Sequence, residues 1–151
     1  MPVAEALTTV LFAAQCINET INVSLLDAHG CVLSQDVSST VDVPPADNSA
    51  MDGYALRAID VEQALPVSQR IPAGTVGSPL KKACAARIFT GAAIPAGADA
   101  VVMQENCTEV AGKVSVSGSV IKGQNIRYRG QDIKSGDTVL EKGRILRPQD
   151  M

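Results

Sequence analysis

The residues best able to do chemistry gather in three short stretches. The first is Asn48-Ser49-Ala50-Met51-Asp52-Gly53-Tyr54, which sets an amide, a hydroxyl and a carboxylate around a glycine shortly after the stiff Val43-Pro44-Pro45. Such a loop can present the Asp52 carboxylate and the Ser49 hydroxyl at fixed positions, with Gly53 permitting a sharp bend or the close approach of a ligand. The same residues also suit an Asx turn in which Asp52 bonds its own backbone. The second stretch, Arg87-Ile88-Phe89-Thr90-Gly91-Ala92, reads as a strand running into a turn. A threonine hydroxyl beside exposed amides can bind an anionic oxygen such as that of a phosphate. An ordinary strand end, with Thr90 bonded into its own turn, is the other reading. The third, Asn125 to Asp132, places Arg127 and Arg129 two residues apart, hence on one face of an extended strand. Two guanidinium groups on one face can clamp a phosphate, or can serve as solvated charges on an exposed strand.

Other signals lead nowhere. Gly74-Thr75-Val76-Gly77-Ser78-Pro79-Leu80-Lys81 has glycines and a lysine without phosphate-loop spacing, and Pro79 opposes the helix that should follow. His29 is the single histidine, so a multi-histidine metal site is impossible and a Ser-His-Asp triad would need a residue in an expected turn. Glu105 follows an apolar strand and reads equally as a site acid or a solvated one.

The elements that must position these residues are mostly short strands. Pro2 to Cys16 is expected as an amphipathic helix, because Val3, Leu7, Val10, Leu11 and Ala14 fall on one face; Pro2 suits its first position. A helix with such a stripe must dock on a sheet or on another subunit. Val23–Leu26 and Cys31–Val37 are expected as a hairpin around Asp27-Ala28-His29-Gly30. Val43-Pro44-Pro45 interrupts any ladder and marks a linker or domain boundary. Strands are expected at Tyr54–Arg57, Leu65–Ile71, Ala83–Phe89, Ala100–Met103 and Val114–Val120, then at Asn125–Arg129 and Thr138–Leu140. Turns rich in Gly and Pro separate them, a rhythm that points to a small β-barrel or sandwich.

Composition agrees. In 151 residues, 46% are hydrophobic and 19% charged, which describes a globular chain with a core of Val, Ile, Leu and Ala, since aromatics are only 3%. A net charge of −3 argues against a nucleic-acid binder. Cys16, Cys31, Cys84 and Cys107 form no CxxC pair, so zinc-finger and disulfide-framework readings fail. Small buried thiols in a reducing cytoplasm are expected instead. The apolar run Leu7–Ala14 follows Glu5 without a basic flank and is too short to span a bilayer, so neither a signal peptide nor a membrane segment is expected.

The runs DNSAMDGYA at 47–55, FTGAAIPAGADAVVMQEN at 89–106 and NIRYRGQDIKSGD at 125–137 resemble the MoeA/gephyrin E-domain family, the molybdopterin molybdenumtransferases. The resemblance runs along the whole chain and to the family's N-terminal and linker region only. It implies a mainly β fold with an N-terminal helix (α+β): an elongated, discontinuous linker domain at 1–46 and 125–151, and an inserted small β-barrel-like domain at 47–124. The family's α/β domain and C-terminal β domain would be absent. The implied reaction inserts molybdate into adenylylated molybdopterin with release of AMP. Magnesium and molybdate are expected for the complete enzyme, and no bound cofactor or metal for this chain alone. As implied catalytic residues we carry over Asp52, Thr90 and Asp132, and as substrate-binding residues Ser49, Gly91, Arg127 and Arg129. The family more often reads R-R-R-G-E-D where this chain has Arg127-Tyr128-Arg129-Gly130-Gln131-Asp132, so Tyr128 and Gln131 weaken the local charge pattern. A cytoplasmic homodimer without nucleic-acid or membrane partners is the implied setting. The competing expectation is a dimerisation or scaffold module with no catalytic activity of its own; a generic β-barrel binding domain is a third.

Overall fold

Three largely apolar tetrads, at residues 53–56, 85–88 (with Arg87 its one charge) and 100–103, fix the centre of the fold, because a strand buried on both faces must be apolar at nearly every position. In the computed structural model, which describes residues 1–15 and 17–151, they form adjacent strands. The strands in chain order are β1 (Val37–Ser38), β2 (Asn48–Ser49), β3 (Gly53–Leu56), β4 (Leu65–Ile71), β5 (Ala85–Ile88), β6 (Ala100–Met103), β7 (Cys107–Val110), β8 (Lys113–Val116), β9 (Ile126–Arg127) and β10 (Thr138–Leu140). Six of them make one half-barrel sheet in the order β6-β3-β5-β4-β8-β7, while β1 pairs with β10 and β2 with β9. The expected mainly β fold with an N-terminal helix is therefore what the chain adopts.

Compactness divides the chain into two units, Met1–Val37 with Leu140–Met151, and Ser38–Val139. Residues 38–46 and 125–139 thus go with the β unit, because Val43 bridges Ile133 and Asn48 pairs with Arg127. The resemblance draws its domain bounds at 46 and 125 instead.

In the β unit, β3 pairs antiparallel with both β5 and β6, and every one of its residues is buried. Tyr54 and Leu56 face one cluster with Leu65, Ala85, Ala100, Val102 and Val114. Ala55 faces the other with Ile71, Leu80, Ala86, Ile88 and Val101. Fully burying a Leu, Ile or Val side chain contributes roughly 1.5–3 kcal/mol, so Leu56, Leu65, Ile71, Ile88, Val101, Val102 and Val114 are the main apolar anchors. Leu65 and Ile71 lie six residues apart and should share a face, yet they enter opposite clusters. The register of β4 against β5 shifts between Val67 and Gln69, and that bulge turns the strand over. Tyr54 is only 7% exposed, and its hydroxyl donates to Glu109 Oε2 at 2.6 Å. Burial, followed by that bond, pushes the Tyr54 hydroxyl up to about 12.

The other unit carries α1 (Val3–Ala13). The expected last helical residue, Cys16, lies outside the described residues, and Pro2 stands at the N-cap rather than inside the helix. No residue of α1 is buried: Leu7 is 57% exposed and Leu11 64%. The expected hairpin over Val23–Leu26 and Cys31–Val37 does not form. Leu25–Asp27 is a turn of 3-10 helix, and the Ser24 hydroxyl donates to Asp27 Oδ2 at 2.6 Å. That local bond offers the backbone a helical alternative to a strand. The segment beyond it pairs elsewhere: Leu33 N–H donates to the Arg144 carbonyl at 2.9 Å and Leu146 N–H to the Cys31 carbonyl at 2.8 Å.

Cys31, Cys84 and Cys107 are free thiols, half-buried rather than fully buried. Among the described residues no helix is long and apolar enough to cross a membrane.

Gly53 has no room for a side chain. A Cβ there would stand 1.9 Å from the Val102 carbonyl oxygen across the β3–β6 ladder. We expect Gly53→Ala to destabilise the chain by about 3 kcal/mol, the upper end for overpacking, read as a lower urea midpoint. A midpoint within error of the wild type would show that β6 yields easily.

Candidate functional site

Antiparallel pairing decides which residues meet. Gly53 at the start of β3 registers against Ile88 near the end of β5 and against Met103 at the end of β6. Asp52, just before β3, is thereby brought opposite Thr90, just after β5, and close to Gln104, just after β6. The Asp52 Oδ1 accepts from the Thr90 N–H and from the Thr90 hydroxyl, both at 2.8 Å. The Gln104 N–H donates to the Asp52 carbonyl at 3.0 Å. Asp52 therefore caps not its own loop but the turn after a neighbouring strand. The Thr90 N–H, then its hydroxyl, hold the Asp52 carboxyl below its ordinary range; partial burial opposes them and the charge of Arg87 adds to them.

The local turn is made instead by Ser49. Its hydroxyl donates to the Met51 carbonyl at 2.6 Å and accepts from the Met51 N–H at 3.3 Å. Ser49 is 1% exposed. Its backbone joins the other loop: Ser49 N–H donates to the Ala92 carbonyl at 2.9 Å, and Gly91 N–H to the Ser49 carbonyl at 2.8 Å. Gly91 makes that turn at φ +81°, a conformation most side chains resist. Asp52, Thr90, Gly91 and Ser49 thus form one connected group, with the hydroxyl of Ser49 turned into its own loop.

Arg127, Arg129 and Asp132 form a second group. Ile126 and Arg127 pair with β2 at Ser49 and Asn48, which places this strand beside the first group. Arg127 forms an ion pair with Asp132. Arg129 pairs with Asp42 at 2.5 Å, and its N–H donates to Asp47 Oδ1 at 2.8 Å. Both guanidinium groups thus have carboxylate partners, and neither is an unpaired clamp. Glu105 is exposed, and its carboxylate accepts from Gln104 at 3.3 Å.

Two residues that frame Asp52 escaped the sequence reading. Arg87 Nη1 donates to the Gly53 carbonyl at 2.8 Å and to the Ile88 carbonyl at 3.1 Å, and Nη2 reaches Gln104 Oε1. The signal was present: Arg87 is the one charge in the otherwise apolar Ala85-Ala86-Arg87-Ile88. Gln104 carried none. A shallow cavity of about 270 Å³ lined by Ser68, Gln69, Ser78, Pro79 and Lys81 contains none of these residues, and the chemistry-bearing groups lie elsewhere.

Residues 1–151 match the sequence family described as MoeA N-terminal region (domain I and II). The chain belongs to that family. It is 42% identical over 137 residues to the molybdopterin molybdenumtransferase of Haemophilus influenzae, covering 86% of this chain and 33% of that protein. It is 36% identical over 156 residues to the molybdopterin molybdenumtransferase of Staphylococcus aureus strain Mu50, covering 98% of this chain and 37% of that one. Its fold superposes on the molybdopterin biosynthesis moeA protein of Pyrococcus horikoshii OT3 with a TM-score of 0.90, at 42% identity, over 99% of this chain and 41% of that chain. The chain spans about a third of the length of the curated relatives it matches.

Magnesium does not fit the residues of this family member that are described here. Among them no three His, Cys, Asp or Glu side chains come together as a ligand set. A resident Mg²⁺ needs near-octahedral oxygen coordination, and the dispersed carboxylates here offer no such convergent set, with Asp132 and Asp42 paired to arginines.

The Asp52–Thr90 bond carries a pH signature. Because the folded carboxyl titrates below its ordinary value of 3.8, the stability it lends is complete above that value and is lost as pH falls through the folded one. Thr90→Val removes the hydroxyl and keeps the N–H. We expect this variant to unfold at lower urea than the wild type at pH 7, with the gap narrowing below pH 3.8. A gap independent of pH would show that the hydroxyl acts through packing alone.

Proposed function

We propose that this chain is the N-terminal part of a molybdenum insertase, an enzyme that transfers molybdate into adenylylated molybdopterin during molybdenum cofactor biosynthesis. The observation that carries the reading is the match of residues 1–151 to the MoeA N-terminal region, shared with relatives that are molybdopterin molybdenumtransferases. In this reading 1–46 and 125–151 serve as the linker domain and 47–124 as the small β domain. The chain supplies one wall of the active-site cleft.

The roles follow from the chemistry of the side chains. Asp52, kept ionised and oriented by Thr90, is the carboxylate that positions or accepts a proton from an attacking oxygen. Among the described residues no group donates to its Oδ2, which leaves that oxygen for substrate. Thr90 and the Gly91 turn border the oxyanion, and Ser49 fixes the turn from beneath. Asp132, Arg127 and Arg129 form the neighbouring charged edge, where an incoming phosphate would compete with carboxylates for the guanidinium groups. Magnesium and most of the grip on the pterin fall to the remainder of such an enzyme. The setting is a cytoplasmic homodimer.

A dimerisation or scaffold module is the second reading, favoured by α1, whose large apolar residues Val3, Leu7, Val10, Leu11 and Phe12 are all exposed. An exposed stripe of this kind belongs against a partner surface.

Complementation separates the two. A bacterial strain deficient in molybdenum cofactor should be rescued when this chain and a separately expressed α/β domain are supplied together, and not by either alone. With both proteins soluble and folded, failure of the pair would select the scaffold reading. In the rescuing pair Asp52→Ala should cut cofactor synthesis about a hundredfold or more while leaving the chain folded. Wild-type synthesis would remove Asp52 from the site.

A further inference from the structure

We propose that Arg87 is a positioning residue for the Asp52–Thr90 pair, its guanidinium holding the ends of β3, β5 and β6 in the register that places the Asp52 carboxylate on the Thr90 hydroxyl. The inference rests on the reading of Asp52 as the working carboxylate and adds a residue that the sequence motifs did not single out. Arg87 occupies a half-buried position in a strand whose other members are buried, where an apolar side chain would pack at less cost. Among the described residues it forms no ion pair. Its donors go to neutral oxygens: the carbonyls of Gly53 and Ile88, and Gln104 Oε1. Gly53 directly follows Asp52 in the chain, and Gln104 in turn donates its N–H to the Asp52 carbonyl. One planar group therefore ties both flanks of Asp52 to the strand that delivers Thr90.

The plane itself is held. Arg87 lies over the Tyr54 ring at 5.2 Å and over the Phe89 ring at 4.6 Å, and Tyr54 is fixed through Glu109 on β7. Stacking and a forked set of donors are properties of a guanidinium; a lysine ammonium supplies the charge without the fork. Among the described residues the charge that acts on Asp52 is that of Arg87 on β5, while Glu105, in the turn after β6, is bonded to Gln104. Arg70 on β4 stacks on the outer neighbour Phe89 at 4.7 Å. Arg87 is the positive charge that acts on Asp52, whose hydrogen bonds come from Thr90. A packing role alone would leave the Asp52 carboxyl unmoved when Arg87 is replaced.

The test is carboxyl-carbon NMR of the 151-residue chain with labelled aspartate, the Asp52 resonance being assigned through Asp52→Asn. In Arg87→Met we expect the Asp52 midpoint to rise toward the ordinary carboxylate value, and the Thr90 amide proton to move upfield as its bond to Asp52 lengthens. Arg87→Lys, which restores charge without the fork, should shift both in the same direction by less. Gln104→Ala, at an exposed position, removes one arm of the fork and should give a smaller shift of the same sign. It decides the matter if the Arg87 variants do not fold. An Asp52 midpoint and a Thr90 amide unchanged in the folded variants would overturn the proposal. The readout is ionisation and hydrogen bonding in the chain itself, so it stands apart from complementation: insertase activity can fail while Arg87 still positions Asp52, and the reverse.

Discussion

The contact on which the site depends is the approach of two backbones, β3 and β6, at Gly53. Because Gly53 lacks a Cβ, the Val102 carbonyl of β6 comes to a place that any other residue would fill. That approach lets β3 run buried on both faces between β5 and β6, with no side chain spreading the ladder at its first residue. The sequence reading allowed Gly53 either a sharp bend or the close approach of a ligand; what approaches is a neighbouring strand. The position of Asp52 follows. It is the last residue before a strand whose start is fixed from both sides, so its carboxylate meets the Thr90 turn at a distance set by sheet geometry rather than by loop flexibility.

Above this apolar frame lies a polar layer that costs desolvation and must be satisfied internally. Each member has a partner on a different strand or loop: Asp52 on Thr90, Gly91 on Ser49, Gln104 on Asp52, Tyr54 on Glu109. Ser49 shows why the loop before β3 is stiff. Its hydroxyl closes the turn to Met51 while its backbone pairs with the Gly91–Ala92 turn, so one buried residue secures both walls around Asp52. A carboxylate held from both walls in this way keeps one orientation.

Strands with a clear apolar run were legible in the sequence, some to the residue, and their partners were not. Leu65–Ile71, Ala100–Met103 and Thr138–Leu140 appear with the bounds expected from apolar runs and flanking Gly or Pro. Strand β7 was missed because Cys107-Thr108-Glu109-Val110 is exposed along most of its length and lacks a buried face; its hairpin with β8 through Ala111-Gly112 is an edge feature. The expected strand Val114–Val120 contracts to Lys113–Val116 for a related reason: beyond it Ser117, Gly118 and Ser119 bury nothing. The hairpin near Asp27 failed on a local bond, Ser24 to Asp27, that alternation of hydropathy cannot register. In the site, sequence named Asp52 and Thr90 separately but not their bond, because spacing of 38 residues carries no distance. Arg87 was visible as a charge in an apolar strand, and only the register with Tyr54 shows what it faces.

The two groups of candidate residues differ in a way that bears on their use. Arg127 and Arg129 are exposed and their guanidinium groups are already matched by Asp132 and Asp42. An anion arriving there would compete with those carboxylates for guanidinium groups that solvent already screens. Asp42 also accepts the Ser135 N–H at 2.9 Å, and that bond, ahead of Arg129, keeps its carboxyl below the ordinary range. The loop around Asp42 therefore keeps its shape when Arg129 is drawn away. Asp52 works under the opposite regime: its partners are hydrogen-bond donors that stabilise the charged form without neutralising it. The site thus sets a charged edge of exposed, paired guanidinium groups beside a carboxylate that hydrogen bonds hold in one orientation and favour in its charged form.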